Sequence, residues 1–226
     1  MSLKAIVFDF DGVIANSEPL QFQGYRDGLA DECLTLTEPD YYAQYLGFDD
    51  VGAFEAIGRR HGAGWSDAHI RNLVARKAVR LEALERGVSV LFPGAADAIR
   101  RASTAVPIAI ASGARGDEIR RVLQRERLSA CFTAIVAAED TPVSKPAPDP
   151  YLRAVTLLAP ACGGQLRASD CVAIEDSHWG LQSARAAGLR TVAVINTYGA
   201  DELLADLTIS SLDAMDLDLL ARLCSE

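Results

Sequence analysis

The sequence has few cysteines and no pairing pattern among them. Five cysteines occur in 226 residues, which is an odd number, and no two of them form a C-x-x-C pair. Small secreted proteins that depend on disulfide bonds carry an even number of cysteines at regular spacings. The pattern therefore indicates reduced, buried thiols, and we expect a cytoplasmic protein.

Long hydrophobic runs are also lacking. No stretch without a charged residue is longer than 102–114, which contains Pro107 and is too short to span a bilayer. The apolar run near the N-terminus meets Asp9 almost at once, so it cannot serve as the core of a signal peptide. No internal repeat, heptad array or low-complexity tract is present. We expect a soluble globular protein that makes no membrane contact.

Positive charge is in the minority. The sequence has 22 Lys and Arg against 31 Asp and Glu, which gives a formal net charge of −9. Nucleic acids and anionic membranes attract basic surfaces, so this balance argues against both as partners. A phosphate-bearing ligand would need cations that are arranged locally around it.

The stretch from residue 5 to residue 13 organises the rest of the chain. Residues 5–8 are apolar and partly β-branched, which is typical of a buried strand in a parallel sheet. Asp9 and Asp11 follow, and Gly12 permits a sharp turn. Ligands bind at the carboxyl ends of such strands, and a bound Mg²⁺ would hold two close carboxylates in their charged form. The alternative is a turn whose acids are solvated or cap a helix.

The next seventy residues have a helical pattern and no convincing strand. We predict helices over 19–29, 51–60 and 66–86. In the third helix Ser66 is a plausible N-cap, and the apolar residues that share one face are Ile70, Leu73, Val74, Leu81 and Leu84. We therefore expect a helical domain over 15–92 that is inserted into a core domain formed by 1–14 and 93–226.

Strands and helices alternate after the insertion. Predicted strands over 106–111, 134–138, 171–174 and 191–195 are separated by predicted helices. This succession implies right-handed crossovers and an α/β fold with a doubly wound parallel sheet. The helical domain would then form a cap over the carboxyl edge of the sheet, where we expect Asp9 and Asp11.

Four predicted strand or loop ends carry polar residues at that edge. Besides the first turn, they are Ser112 with Gly113, Lys145, and Glu175 with Asp176. Each residue has an ordinary alternative: Ser112 could cap a helix, Lys145 could be a solvated surface lysine, and the two acids could interact with a helix dipole. All of these alternatives would have to hold together in this chain order, so a shared site is the better interpretation.

These stretches resemble the four signature motifs of the haloacid dehalogenase superfamily, in its phosphatase branch with a helical cap after the first strand. The resemblance runs almost from end to end. It rests on residues 8–13 with 16–18, on 144–150, and on 175–177 with Gly180 and 186–188. The subfamily that contains β-phosphoglucomutase and many sugar-phosphate phosphatases is the most similar.

The resemblance implies a role for each acidic residue. Asp9 would attack phosphorus and become an aspartyl phosphate, and Asp11 would protonate the leaving oxygen and later activate water. Mg²⁺ would be held by the Asp9 carboxylate, the Asp11 backbone carbonyl and Asp176, with Glu175 as further support.

The resemblance also implies a phosphate-binding group. Ser112, the Gly113 amide and Lys145 would surround the remaining phosphate oxygens, and Lys145 would neutralise part of the acidic cluster. The resemblance thus implies a Mg²⁺-dependent phosphatase that hydrolyses a small phosphate monoester, either a sugar phosphate or a compound like phosphoglycolate. We expect this phosphorylated metabolite to be its partner and the protein to be a monomer or weak homodimer.

Two alternatives to the phosphatase stay open. Mutases of this subfamily carry a histidine where this chain has Gln21 and a phosphate-binding arginine near Asp50, while Lys77 could match a cap lysine that they share. The specificity candidates in the cap are accordingly Gln21, Tyr25, Asp50 and Lys77, and a sugar phosphomutase is the second candidate. A catalytically idle binding module is the third, although the complete motif set argues against it.

Overall fold

The computed structural model describes residues 3–46, 48–86 and 89–225. The chain divides into two compact units. A core unit comprises Met1–Asn16 and Leu91–Glu226, and a helical unit comprises Ser17–Val90. The helical unit is therefore two residues shorter at each end than the predicted helical domain, 15–92.

The core unit is built on a six-stranded parallel sheet with the order β3-β2-β1-β4-β5-β6. Strand β1 lies at the centre, and Phe8 pairs with Ile110 on one side and with Ile174 on the other. The strands are β1 Ala5–Phe8, β2 Ile108–Ala111, β3 Ala134–Val136, β4 Cys171–Glu175, β5 Arg190–Val194 and β6 Leu207–Ile209.

Helices cover the sheet because its central strands are apolar on both faces. Every residue of β1, β2 and β4 is buried, as expected for strands between two helical layers. One face packs on α7 and α8, and Tyr151, Ala154 and Ala184 contribute to that core. The helices of this unit are α5 Ala95–Ala105, α6 Gly116–Arg125, α7 Asp149–Leu158, α8 His178–Ala186 and α9 Leu217–Leu223.

The strand ladder continues into the predicted site residues. The backbone amide of Asp9, directly after β1, donates to the carbonyl of Ile174 at 2.9 Å. The amide of Ser112, directly after β2, donates to the carbonyl of Val136 at 3.0 Å. Because all these strands are parallel, their carboxyl ends lie along one edge, and the residues after them lie along that edge too.

Backbone hydrogen bonds join the residues before the helical insertion to the residues after it. Ala15 and Leu91 form an isolated antiparallel bridge, and the amide of Phe92 donates to the carbonyl of Ile14 at 3.0 Å. The chain therefore leaves the core unit and returns to it at adjacent points.

The helical unit contains no strand among its described residues. Side-chain caps begin three of its helices, since Thr37, Asp49 and Ser66 each accept a hydrogen bond from a backbone amide of the first turn. Tyr25, Tyr41 and Phe54 pack their rings together in its core. The helices are α1 Glu18–Ala30, α2 Glu38–Gln44, α3 Asp50–His61 and α4 Asp67–Leu84.

The predicted α/β fold with a parallel sheet and an all-helical insertion is confirmed. On α4 the predicted inward face is buried except for Leu84, which is half-buried, but Lys77 is buried there as well. Three short elements were not predicted from the sequence: α2, β6 and α9, which have seven, three and seven residues. No helix in the described part of the chain is long and apolar enough to cross a membrane.

Candidate active site

The ammonium group of Lys145 lies between two carboxylates in the core unit. Its Nζ donates to Asp9 Oδ1 at 2.8 Å and to Glu175 Oε1 at 2.6 Å. Asp9 follows β1, Glu175 ends the neighbouring β4, and Lys145 comes from the loop before α7. The Glu175 side chain is fully buried, and those of Asp9 and Lys145 are 11% and 10% exposed. The structure thus joins three predicted residues in one ion-paired group.

Glu175 accepts hydrogen bonds at both of its carboxylate oxygens. Oε1 accepts from Lys145 and from the hydroxyl of Tyr151, at 2.6 and 2.8 Å. Oε2 accepts from the amide of Asp176 at 3.1 Å and from the amide and hydroxyl of Ser177 at 3.3 and 3.1 Å. These donors fill the roughly four lone-pair positions of a carboxylate. Glu175 is therefore a fixed support for Lys145 and for the start of α8.

Burial and charge shift the pKa values of the ion-paired group. Burial raises the pKa of Asp9 to about 7, while Lys145 opposes this rise and Glu175 adds to it. Burial alone would lower the pKa of Lys145, but Asp9 and Glu175 outweigh it and raise that pKa above its usual range. Lys145 is therefore a permanent cation, whereas Asp9 needs further positive charge to stay fully ionised near neutral pH.

The turn after β1 brings the carboxylate of Asp176 close to the backbone. Gly12 has a φ of +78°, and a Cβ built on it would lie 1.9 Å from Asp176 Oδ2. The same oxygen accepts a hydrogen bond from the hydroxyl of Thr197, and Asn196 Nδ2 donates to the carbonyl of Gly12 at 2.8 Å. Glycine alone tolerates both the backbone angle and the close approach.

Asp11 lies within this turn and is half-buried. It forms a backbone bridge with Ala15, and the amide of Gly12 donates to the carbonyl of Ala15 at 2.8 Å. Asp11 is therefore held two residues after Asp9 on a turn that the backbone itself closes.

Ser112 and Gly113 follow β2, the strand on the other side of β1. Ser112 is buried, and its Oγ accepts from the amide of Ala114 at 3.1 Å, while Gly113 is exposed. Helix α6 begins at Gly116 with Arg115 as its N-cap. Ser112 therefore does not cap that helix, which was the ordinary explanation for a serine at this place.

Three carboxylates of the core unit could hold a metal ion. Asp9, Glu175 and Asp176 are buried, and each offers an oxygen within 4.8 Å of the others. Oxygen ligands suit hard divalent cations such as Mg²⁺. Lys145 supplies one positive charge against three carboxylates, and burial raises the pKa of Asp9 even though Lys145 lowers it. The oxygen chemistry and the charge of this group therefore fit a divalent cation, with Glu175, whose two oxygens already accept five hydrogen bonds, as its support.

The specificity candidates lie in the helical unit. Tyr25 and Lys77 both donate to Asp50 Oδ1, the former at 2.6 Å. Gln21 lies one helical turn before Tyr25 on α1 and is buried. Glu18, one turn before Gln21 at the start of α1, accepts from the hydroxyl of Tyr41 at 2.7 Å. We call Glu18, Gln21, Tyr25, Asp50 and Lys77 the helical-unit cluster.

Three residues near the carboxylates were not predicted from the sequence. Tyr151 lies on the buried face of α7, where an aromatic residue reads as ordinary core. Asn196 and Thr197 follow β5. The one signal in the sequence that could have indicated them was their position after a parallel strand. Three of the four predicted groups of site residues, all but Lys145, also lie at the ends of strands.

Comparison with known proteins leads to the same class of protein as the fold and this group of carboxylates. The sequence model described as haloacid dehalogenase-like hydrolase matches residues 6–194. The chain therefore belongs to this family of hydrolases and is an enzyme, as the motifs predicted.

Relatives with established names cover nearly the whole chain. Protein CbbY of Rhodobacter capsulatus is 34% identical over 95% of this chain and 96% of its own. Hexitol phosphatase B of Escherichia coli (strain K12) is 27% identical over 93% of each chain. Beta-phosphoglucomutase of Bacillus subtilis (strain 168) is 27% identical over 96% of this chain and 94% of its own.

A solved structure shows the same fold with a ligand. A mutant of CbbY from Rhodobacter sphaeroides in complex with xylulose-1,5-bisphosphate has a TM-score of 0.81 and 25% identity, and covers 95% of this chain and 96% of that one. A coverage of 95% spans residues of both the core unit and the helical unit.

Replacing Gly12 by alanine should destabilise the protein more than the same change at Gly163. Both glycines have positive φ, +78° and +83°, so alanine strains the backbone at each by about 1–2 kcal/mol. An added Cβ meets nothing within 4 Å at Gly163 but overlaps Asp176 at Gly12. Urea unfolding should show a loss at least ~2 kcal/mol larger for Gly12→Ala. Equal losses would mean that Asp176 moves away without cost.

Proposed function

We propose that this chain is a Mg²⁺-dependent phosphatase that hydrolyses a small phosphate monoester through an aspartyl phosphate. The observation that carries the proposal is the ion-paired group at the sheet edge, in which Lys145 lies between Asp9 and Glu175 with Asp176 beside the turn. A carboxylate nucleophile and a fixed cation are what phosphoryl transfer to a side chain requires.

Asp9 is the proposed nucleophile and Asp11 the proposed acid and base. An oxygen of Asp9 forms a bond to phosphorus while the bond from phosphorus to the ester oxygen breaks, and Asp11 gives its proton to that oxygen. Asp11 then accepts a proton from the water that attacks the aspartyl phosphate, which frees inorganic phosphate and restores Asp9. Their spacing of two residues on one closed turn supports this division of roles.

Ser112, Gly113 and Lys145 are the proposed phosphate-binding residues. Lys145 offers a permanent positive charge, Ser112 a hydroxyl and Gly113 an exposed backbone amide. Donors that are fixed before the reaction stabilise the charge that develops on the transferring phosphoryl group. Glu175 and Tyr151 hold Lys145 in place for this task.

The Asp9 carboxylate, the Asp11 backbone carbonyl and Asp176 would hold Mg²⁺, with Glu175 as the supporting member of the acidic group. When bound, the ion neutralises negative charge on the phosphate and on the carboxylates. Thr197 and the Gly12 turn fix Asp176, while Lys145 fixes Asp9.

We further propose that the core domain, 1–14 with 93–226, carries the chemistry and that the helical domain, 15–92, selects the substrate. Gln21, Asp50 and Lys77 are the proposed specificity residues. The substrate is a small phosphorylated metabolite, and neither nucleic acid nor a membrane is a partner. We propose a monomer or weak homodimer in the cytoplasm, which the net charge of −9 and the five free cysteines support.

Hydrolysis is favoured over phosphomutase activity by the pairing of Lys77. A mutase must hold a second phosphate while the first is transferred, and this needs cations that are available to it. Lys77 is instead paired with Asp50, and its Nζ lies 4.3 Å from the centre of the Tyr25 ring. A beta-phosphoglucomutase is nevertheless among the relatives, so the mutase is the second candidate.

Asp9→Asn should abolish phosphate release. The amide cannot form the covalent intermediate, so we expect a loss of at least ~10³-fold in kcat with phosphate esters and Mg²⁺. Asp201→Asn, an exposed acid of the same unit, is the matched control and should keep full activity. Turnover of Asp9→Asn within tenfold of the parent would exclude Asp9 as the nucleophile.

Activity should require Mg²⁺. A chelator should abolish phosphate release, Mg²⁺ should restore it, and Ca²⁺ should inhibit because its larger size and looser coordination disturb in-line geometry. Asp176→Asn should raise the Mg²⁺ concentration that gives half-maximal activity by at least ~10-fold. Undiminished turnover in the chelator would refute the metal assignment.

Incubation with β-glucose 1-phosphate and a trace of the 1,6-bisphosphate distinguishes the two candidate activities. A weak hold on the second phosphate lets water reach the aspartyl phosphate, so we expect net release of inorganic phosphate with no need for the bisphosphate. Glucose 6-phosphate and free phosphate are measured together. Rapid isomerisation with little free phosphate would establish the mutase instead.

A further inference from the structure

The segment that follows β5 in the core unit is anchored just before Thr197. The amide of Ile195 donates to the carbonyl of Ile209 at 3.2 Å, which continues the pairing of β5 with β6. The next side chain reaches the turn after β1, because Asn196 Nδ2 donates to the carbonyl of Gly12 at 2.8 Å. Thr197 therefore follows two residues whose positions are fixed by hydrogen bonds to other strand ends.

The residue after Thr197 is anchored as well. The ring centres of Tyr198 and His178 lie 4.7 Å apart, and Tyr198 also packs against the buried apolar cluster around Leu181. His178 and Leu181 belong to α8, the helix that begins two residues after Asp176. The backbone on both sides of Thr197 is thus tied to the elements that carry Asp176, so the direction of the threonine hydroxyl is set by the fold.

That hydroxyl donates to one oxygen of a buried carboxylate. Its acceptor is Asp176 Oδ2, and Asp176 is 5% exposed. A carboxylate can bind a metal ion through one of its oxygens or through both. A fixed donor on Oδ2 restricts rotation of the group and competes with an ion for this oxygen. Thr197 therefore favours a carboxylate that offers the ion a single oxygen.

The other two carboxylates of the acidic group are restricted in the same sense. Asp9 Oδ1 accepts from Lys145, and both oxygens of Glu175 accept hydrogen bonds. Mg²⁺ needs few protein ligands, because it keeps several waters in an octahedral shell at about 2.0–2.1 Å. Ca²⁺ takes about six to eight oxygens at longer distances and often binds both oxygens of one carboxylate. One-oxygen ligands thus suit the smaller ion.

We propose that Thr197 is a positioning residue of the metal site, whose hydroxyl holds Asp176 as a one-oxygen ligand and so favours Mg²⁺ over the larger Ca²⁺. This inference rests on the proposed Mg²⁺-dependent function and adds a residue to its metal site. The ordinary explanation is that the hydroxyl only satisfies a buried carboxylate. In that case its loss would weaken the binding of both cations equally, because a less ordered Asp176 would be a poorer ligand for each.

Thermal unfolding of the whole chain, titrated with Mg²⁺ or with Ca²⁺ and without substrate, measures the Kd of each cation. A cation that binds the folded state raises Tm by an amount that depends on its concentration relative to Kd. Thr197→Val removes the hydroxyl at similar volume, so we expect Kd for Mg²⁺ to rise by at least ~10-fold. Kd for Ca²⁺ should change by less than ~3-fold, because the released carboxylate can bind this ion through both oxygens.

Two further variants serve as controls. Thr197→Ser keeps the hydroxyl donor, so both Kd values should stay within ~3-fold of those of the parent. Thr208→Val makes the same change as Thr197→Val at an exposed position of β6 and should leave both Kd values unchanged. The Tm of each variant without added metal shows that it folds.

The other outcomes count against the inference. A rise in Kd for Ca²⁺ at least as large as that for Mg²⁺, no rise for Mg²⁺ in Thr197→Val, or a serine variant that behaves like the valine variant would overturn it and leave the phosphatase proposal intact. Failure of Mg²⁺ to stabilise the parent chain would refute the proposed metal site, and the inference would fall with it.

Discussion

The site depends on an ammonium group that two buried carboxylates share. Lys145 links the loop before α7 to the ends of β1 and β4, so one side chain ties together three segments that are far apart in the sequence. Removing Lys145 would leave two buried carboxylates without a cation, which costs several kcal/mol. The surrounding contacts serve the same arrangement, since Tyr151 completes the hydrogen bonds of Glu175 and the Ser183 hydroxyl donates to the loop carbonyl of Ala147.

The excess of carboxylates over cations couples the ligands of the core unit to one another. Asp9, Glu175 and Asp176 present three carboxylates to one ammonium, and a phosphate group alone would add to the negative charge. The proposed divalent cation would neutralise this excess, so the cation and the phosphate should each bind more tightly in the presence of the other. The acidic composition of the whole chain is therefore compatible with an anionic substrate, because the required positive charge is local.

The sequence predicted the parts of the fold and site that depend on local patterns. Asp9 and Glu175 could be found because the carboxyl ends of parallel strands meet at one edge, and Lys145 because its loop resembles a motif of the family. Strand β6 was missed because its three residues include an exposed threonine and so lack the continuous apolar run that indicated β3. The pairing of Lys77 with Asp50 was missed for a different reason: a lysine on an apolar helix face reads as solvated, and its partner lies 27 positions away in another helix. Such long-range pairs are determined by packing and not by spacing.

The bridge between Ala15 and Leu91 has a consequence for how this kind of enzyme can diversify. Because the chain leaves and re-enters the sheet at adjacent points, the segment between them is a closed excursion whose length places little demand on the core. Insertions, deletions or wholesale replacement within 17–90 leave the strand register and the Lys145 group untouched. Under the proposed division of roles, substrate preference could then change under selection while the residues of the core unit stay constant.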